Sequence, residues 1–381
     1  MDYIASLDMG SETMVMALAE VSANRVQLIG VEQVASEGIE RGRVKDEKWA
    51  KSSVKQLLEV FRQKHGMAID TLRVSLPATW VKRSVIKVPL AASRSITTSY
   101  MERVEREARR LLPDNGREPV TMLPVSYILD DEKVRNPVGR PVRQGHAHYA
   151  FYLARESDLE MTCTWLADLG VERVDFYAEV EAVSRALVVK RGEYQNFALV
   201  DLGADSTKVY VFQEGAIVSD VELPLGCSAI DGDIHAAFSQ SEDTAQQLKH
   251  AHGSAIRVTE KNRKVIIPNT KYSVELHALL QIEQCRLEEL LEGAIFQIQR
   301  SGFYRALSDG ILLTGGGCRV RDVEMLMAKL SGHAVRKAVV TSVETSEANR
   351  EMPEYLTALG LLACANKARK RSRTLFERLF T

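Results

Sequence analysis

Three glycine-rich turns carry the residues of this chain best suited to chemistry. The first, Asp8-Met-Gly-Ser11, joins the strand patterns Ile4-Ala-Ser-Leu7 and Thr13-Met-Val-Met-Ala-Leu-Ala-Glu-Val21. The second, Asp201-Leu-Gly-Ala-Asp-Ser206, joins Phe197-Ala-Leu-Val200 to Lys208-Val-Tyr-Val-Phe212, with Ala216-Ile-Val218 beyond. The third closes the apolar run Gly310-Ile-Leu-Leu-Thr-Gly-Gly-Gly317 and precedes a helical pattern over 320–330. Glycine at a strand-to-helix turn lets the backbone approach a ligand closely and leaves helix N–H groups free for an anion. A single such turn signifies packing more often than binding. Two Asp-x-Gly hairpins about half a chain apart, each with a hydroxyl residue and followed by the third turn, point to two similar α/β subdomains facing a cleft.

The elements that must position these turns are legible as periodic patterns. Helical spacing runs over 47–65, 97–112, 156–170, 177–190, 229–238, 241–252 and 274–301, and from 354 onward. The stretch 72–153 differs, with Leu72-Arg-Val-Ser-Leu76, Arg83-Ser-Val-Ile-Lys-Val88, one helix, Val125-Ser-Tyr-Ile-Leu129, the turn Asn136-Pro-Val-Gly139 and His146-Ala-His-Tyr-Ala-Phe-Tyr152. It reads as a small inserted α+β unit. At 381 residues, 45% apolar and 27% charged, the chain is long enough for two or more subdomains, and its net charge of −1 carries no nucleic-acid signature. The 5 cysteines form no CxxC pair, which points to a reducing cytosol without disulfides. The opening residues lack the basic start of a signal peptide. The longest apolar stretch, 355–365, is about half of what a bilayer span requires. His146 and His148 alternate on a strand, and His250 and His252 lie on a helix; neither pair has a third ligand nearby in sequence, so both read as ordinary surface residues.

The C-terminus breaks the charge balance. The basic run Lys367-Ala-Arg-Lys-Arg-Ser-Arg373 leads into Thr-Leu-Phe-Glu-Arg-Leu-Phe-Thr381, where Leu375, Phe376, Leu379 and Phe380 share one helical face. Such a face could dock on its own domain, but docking does not require the charge block that includes Lys370, Arg371 and Arg373. Burying two Leu and two Phe gains at most roughly 6–12 kcal/mol, and each basic residue near anionic lipid adds about 1 kcal/mol. Ordering the helix subtracts from this, so the anchor is weak, reversible and strengthened by several copies.

Across nearly the whole chain these segments resemble the FtsA family of actin-fold proteins. The resemblance is carried in order by Asp8-Met-Gly-Ser11, Ser36-Glu-Gly-Ile-Glu-Arg-Gly-Arg-Val44, the Asn-Pro-Val-Gly turn, and Asp201 to Ser206. It continues through Leu223-Pro-Leu-Gly226 with Asp231-Gly-Asp-Ile234, Lys249-His-Ala-His-Gly253, Leu313-Thr-Gly-Gly-Gly317, Pro353-Glu-Tyr-Leu-Thr-Ala-Leu-Gly360 and the amphipathic tail. It implies an α/β, two-lobed actin/Hsp70-like (ASKHA) fold with an inserted, SHS2-like 1C subdomain. Subdomain 1A would take 1–78, 157–195 and 351–366, 1C 79–156, 2A 196–235 and 302–350, 2B 236–301, and the membrane tail 367–381. The family ties FtsZ filaments to the cytoplasmic face of the bacterial inner membrane at the division site. The implied partners are the FtsZ C-terminal peptide at 2B, an anionic membrane surface, further copies in a head-to-tail filament, and other divisome proteins through 1C, with no nucleic acid.

The resemblance also implies ATP or ADP with magnesium. Phosphates need backbone N–H groups, hydroxyls and a cation whose waters carboxylates hold. Asp8 and Asp201 become the metal-side carboxylates. Gly10, Ser11, Thr13, Gly203, Ala204, Asp205, Ser206 and Gly226 belong to the phosphate-facing turns, and Gly315, Gly316 and Gly317 to the nucleoside. Lys249 is placed at the base or ribose edge. The sequence departs from the family where Thr13 stands for a lysine, where Gly203-Ala-Asp-Ser206 replaces Gly-Gly-Gly-Thr, and where Lys208 stands for an aspartate. Asp205 either binds the cation or opposes the phosphates. No residue is identified as a catalytic base, so the chain is at most a weak ATPase. The family's Glu-Pro-Arg in 2B reads Glu283-Gln-Cys-Arg286 here, leaving Glu283 and Arg286 as candidate partner contacts. The basic run follows the last core helix almost directly, which would hold the membrane close to the body. Rival readings are a PilM-like pilus assembly adaptor, a sugar or acetate kinase, for which no substrate-side base is found, and a diverged scaffold that no longer binds nucleotide.

Overall fold

The computed structural model describes residues 2–22, 25–40, 42–92, 95–113, 115–187, 195–258, 262–346 and 352–364. The tail residues Lys370, Arg371, Arg373, Leu375, Phe376, Leu379 and Phe380 lie outside these.

Two five-stranded sheets with the same strand order organise the molecule. In the first, Arg25–Ala35, Thr13–Ser22 and Asp2–Met9 form an antiparallel meander, and Thr71–Leu76 and then Arg173–Ala178 add in parallel. In the second, Ala216–Leu223, Thr207–Gln213 and Phe197–Leu202 form the meander, and Ile311–Thr314 and Val335–Lys337 add in parallel. This repeated plan is the two-lobed actin-like fold. Burial explains the residue choice along each strand. Met14 to Ala19 run through the sheet's interior and are all buried, whereas the edge strand Arg25–Ala35 alternates between exposed and partly buried positions.

A separate four-stranded sheet lies within residues 81–155, in the order Val81–Ala92, Val142–Arg155, Arg117–Leu129, Glu132–Val134. Its own core, including Val88, Leu90, Met101, Val104, Tyr149 and Phe151, packs the helix Thr98–Arg110 on one face. Arg83 reaches across to Asp220 on the second lobe's edge strand at 3.0 Å.

Helices start and stop where local chemistry directs. Glu47–His65 begins at Asp46, whose carboxylate accepts from the N–H groups of Lys48 and Trp49, and ends at Gly66 in the left-handed region. It buries Ala50, Val54, Leu57 and Phe61, one turn apart. Three boundaries differ from the periodicity. Tyr177 and Ala178 end the strand Arg173–Ala178, so the following helix is Glu179–Leu187. The pattern expected over 320–330 begins as a tight turn at Gly316–Arg319, and the helix is Val323–Ser331. Residues Ser273–Glu275 form a short strand before the long helix Leu276–Arg300.

The helix Leu356–Leu362 is buried at every position and returns to the first lobe. The Ser6 hydroxyl donates to the Ala358 carbonyl at 2.8 Å, and the buried Arg73 guanidinium donates to the Leu361 and Leu362 carbonyls at 2.9 Å each. A Cβ on Gly360 would sit 2.0 Å from the Ala182 carbonyl, so only glycine permits this close approach to helix Glu179–Leu187. Among the described residues, no helix is long and apolar enough to cross a membrane.

Candidate functional site

The first two glycine turns meet across a cleft of about 530 Å³. Ser11, Glu12 and Thr13 line it from the first lobe. Ala204, Asp205, Ser228, Asp231 and Gln246 line it from the second. The Gln246 amide donates to Glu12 at 2.9 Å across the opening, and His250 lies 4.0 Å from the same carboxylate.

Backbone accounting explains the shape of the second turn. The Gly203 N–H donates to the Ser206 carbonyl at 3.0 Å, and the Cys227 N–H to the Gly203 carbonyl at 2.9 Å. Both the N–H and the hydroxyl of Ser228 donate to the Ala204 carbonyl, at 2.9 and 2.7 Å, and that hydroxyl lies 3.2 Å from Asp205 Oδ1. The helix Ser228–Phe238 thus begins against the turn. A Cβ on Gly226 would fall 2.2 Å from the Ala204 carbonyl oxygen, so this glycine serves the turn's packing.

The third turn divides its glycines between two duties. A Cβ on Gly315, at φ +85°, would lie 2.2 Å from Asp201 Oδ1, and one on Gly317 would meet the Cys227 sulfur at 2.6 Å. Nothing lies within 4 Å of a Cβ placed on Gly316. Packing therefore demands glycine at 315 and 317, whereas 316 borders open space.

Below the turns, carboxylates of both lobes gather around one ammonium. Lys208 Nζ lies 2.6 Å from Glu179 Oε2 and 4.0 Å from Asp201 Oδ2, and the Tyr210 hydroxyl donates to Glu179 Oε1 at 3.3 Å. Asp8 accepts from the Ser75 hydroxyl at 2.7 Å. Burial, reinforced by Glu179, pushes the Asp8 carboxyl up to about 6 against the pull of Ser75 and Lys208. Burial likewise pushes Asp201 up to about 7, with Lys208 opposing and Glu179 and Asp8 adding to the rise. Burial alone would lower the Lys208 pKa, but Glu179 and Asp201 hold it above the ordinary lysine value.

This arrangement does not fit the magnesium expected at Asp8 and Asp201. Lys208 already serves Glu179 and Asp201, and no group of three or more His, Cys, Asp or Glu among the described residues is placed to hold a metal ion. Glu179 was not anticipated, because the helical pattern over 177–190 concealed its place at a strand end. Reading Arg173–Ala178 as a strand parallel to Thr71–Leu76 would have put an acidic residue at the exit of the first sheet. Ser75, on the neighbouring strand, carried no signal of its own.

Three further residues fall differently from expectation. Lys249 is 7% exposed and ion-paired to Asp231 at 2.6 Å, so its charge reaches the cleft only through Asp231, which lines it. Glu283 is 0% exposed, so the partner contact expected of it is corrected. Its carboxylate accepts from the Ser254 N–H at 2.8 Å, and burial pushes it up to about 7. Arg286 holds Asp233 through two hydrogen bonds, at 2.7 and 2.9 Å, and Glu289 at 2.5 Å. It is engaged within its own lobe.

Comparison with known proteins agrees with this architecture. A family model described as Type IV pilus assembly protein PilM matches residues 6–272, and one described as Cell division protein FtsA matches residues 198–360. Over 97% of its length the chain is 24% identical to the cell division protein FtsA of Borreliella burgdorferi, covering 92% of that protein. It is also 24% identical to FtsA of Bacillus subtilis, over 96% of this chain and 84% of the relative. Among solved structures, a PilM-PilN type IV pilus biogenesis complex aligns with a TM-score of 0.63 at 17% identity, covering 94% of this chain and 97% of that one. The ethanolamine utilization protein EutJ of Carboxydothermus hydrogenoformans aligns with a TM-score of 0.56 at 12% identity, covering 96% and 90%. The chain therefore belongs to the family described as Type IV pilus assembly protein PilM, and the relatives it resembles along nearly its whole length are FtsA cell division proteins.

Proposed function

We propose that the chain is a nucleotide-binding, polymerising adaptor of bacterial cell division that ties FtsZ to the cytoplasmic membrane. The observation that carries this reading is the meeting of two matched Asp-x-Gly hairpins across one cleft, with the third glycine turn packed at Gly315 against Asp201 of the second, in a chain whose full-length relatives are FtsA. Backbone N–H groups and the hydroxyls of Ser11, Thr13 and Ser228 hold the phosphates of ATP or ADP, and the open space at Gly316 receives the nucleoside. No residue is assigned as a general base in this reading, in which the nucleotide acts mainly as a structural ligand that sets protomer conformation. The basic, amphipathic C-terminal segment binds anionic lipid as a peripheral anchor. Head-to-tail assembly multiplies that weak contact. Subdomain 2B receives the FtsZ C-terminal peptide through residues other than the buried Glu283, and 1C meets a neighbouring protomer or other divisome proteins.

The test is liposome co-sedimentation of the full chain with and without ATP and magnesium, with a synthetic FtsZ C-terminal peptide, and electron microscopy of the pellet. ATP-dependent filaments on vesicles that retain the peptide are expected. Undiminished lipid binding after deletion of Arg373 to Thr381 would overturn the anchor, and failure to retain the peptide would overturn the FtsZ assignment.

A second reading, a PilM-like adaptor of pilus assembly, is favoured by the PilM model's match over 6–272 and by the likeness to the PilM-PilN complex. Retention of a PilN-type peptide in place of the FtsZ peptide would establish it.

A further inference from the structure

We propose that Lys208, held between Glu179 and Asp201, takes the place of a divalent cation, so that this protein binds its nucleotide without a metal at Asp8 and Asp201. The inference rests on the nucleotide reading and specifies its chemistry.

The placement comes from strand register. Asp201 lies directly opposite Lys208 across the second hairpin, as Asp8 lies opposite Val15 across the first. A side chain opposite the buried aspartate shares its face of the sheet and reaches the same space. In the second lobe that side chain ends in an ammonium. It spans the lobes, contacting Glu179 from the first at 2.6 Å and approaching Asp201 on its own at 4.0 Å. Tyr210 fixes the other oxygen of Glu179, and Ser75 fixes Asp8, so the surrounding groups are held by partners of their own. A divalent ion would have to displace an ammonium that is itself removed from water. Such an exchange exposes Lys208 to a buried site without its carboxylate partners.

The consequence concerns which cation neutralises the phosphates. In a metal-dependent site the ion enters and leaves with the nucleotide. Here the positive charge is covalently part of the second hairpin and is present whether or not a nucleotide is bound. Glu12, Asp205 and Asp231 line the mouth, and no Lys or Arg is among the described residues lining it. The phosphates therefore lean on backbone N–H groups and hydroxyls, while Lys208 offsets the charge of Glu179 and Asp201, and affinity is modest in any buffer.

Binding of the fluorescent nucleotide mant-ATP to the full chain decides this, measured in excess magnesium and again in EDTA. The two dissociation constants are expected to agree within about twofold, whereas a site that needs its metal would weaken by at least about tenfold in EDTA. Such weakening would overturn the inference and leave nucleotide binding intact. Absence of binding in both buffers would overturn the nucleotide reading and the inference together. As a second arm, Lys208→Gln is expected to bind more weakly in EDTA and to recover with magnesium. If that variant folds and its affinity is unchanged in both buffers, Lys208 is not the neutralising cation. If it fails to fold, the wild-type pair still decides.

Discussion

The two hairpins are built to the same plan and treat their buried aspartates in opposite ways. Asp8 lies opposite the apolar Val15 and is stabilised by a hydroxyl, Ser75, on the neighbouring strand. Asp201 lies opposite Lys208 and faces a full positive charge, which it shares with Glu179. The turns above them correspond residue by residue: Gly10-Ser-Glu-Thr13 against Gly203-Ala-Asp-Ser206, with a carboxylate third in each. Strand geometry is thus common to both lobes, and one side chain opposite the aspartate gives the second hairpin an ammonium where the first has an apolar group. A repeated backbone plan leaves the charge beside each buried aspartate to a single cross-strand position.

The largest test of this contrast removes the ammonium. Lys208→Met leaves Glu179 and Asp201 without their cation and should cost about 3–5 kcal/mol in urea unfolding. Val15→Ala at the matching position should cost only about 1–2 kcal/mol, the loss of a few buried carbon contacts. Equal losses would show that the two positions play the same packing role.

Acid–base behaviour sharpens the contrast next. Asp8 and Asp201 are held up to about 6 and about 7, above their unfolded values, so the native state binds more protons than the unfolded chain in between. Their contribution is fully present below the unfolded value near 3.9 and is lost as pH rises through 6 and 7. Unfolding free energy should therefore fall by about 2–3 kcal/mol between pH 5 and pH 8, the two sites sharing their charge. Ser75→Ala should shift the fall to higher pH on the Asp8 side alone, at a cost of about 1 kcal/mol. A profile that rises over this range would contradict the burial of both groups.

Smaller effects separate the glycines and the cleft mouth. Gly315→Ala forces a Cβ against Asp201 at a left-handed backbone position and should destabilise by about 2 kcal/mol. Gly316→Ala should change stability by under about 0.5 kcal/mol while lowering nucleotide affinity, because its Cβ projects into open space. Glu12→Gln trims one exposed contact across the opening and should stay within about 0.5 kcal/mol of the parent. A large effect there would mean that the Gln246 contact holds the lobes together.

Much of this was legible in the residues, for physical reasons that differ from place to place. The hairpins announced themselves because a buried central strand is continuously apolar and its turn must contain glycine, as at Met14–Ala19 and Gly10. The inserted unit stood out as several strand patterns around a single helix and the Asn-Pro-Val-Gly turn. What escaped notice were features set by tertiary placement. Glu179 and Ser75 acquire their roles only when parallel strands from distant segments align beside Asp8. Glu283 looked like a surface residue because a carboxylate is usually exposed, yet it faces inward with an otherwise apolar row, from Leu276 to Ile298. Strands such as Arg25–Ala35 lacked a continuous apolar run because they form an edge.

The buried helix Leu356–Leu362 also has a mechanical meaning. It is gripped by Ser6 and Arg73 from the first sheet and lies against helix Glu179–Leu187 at Gly360. A pull applied at Cys364 would consequently not peel away a surface helix. It would load the strand that carries Ser75 and the helix that begins at Glu179, the two elements that hold Asp8 and Lys208. Tension at Cys364 would then bear on the contacts that hold the two buried aspartates in place.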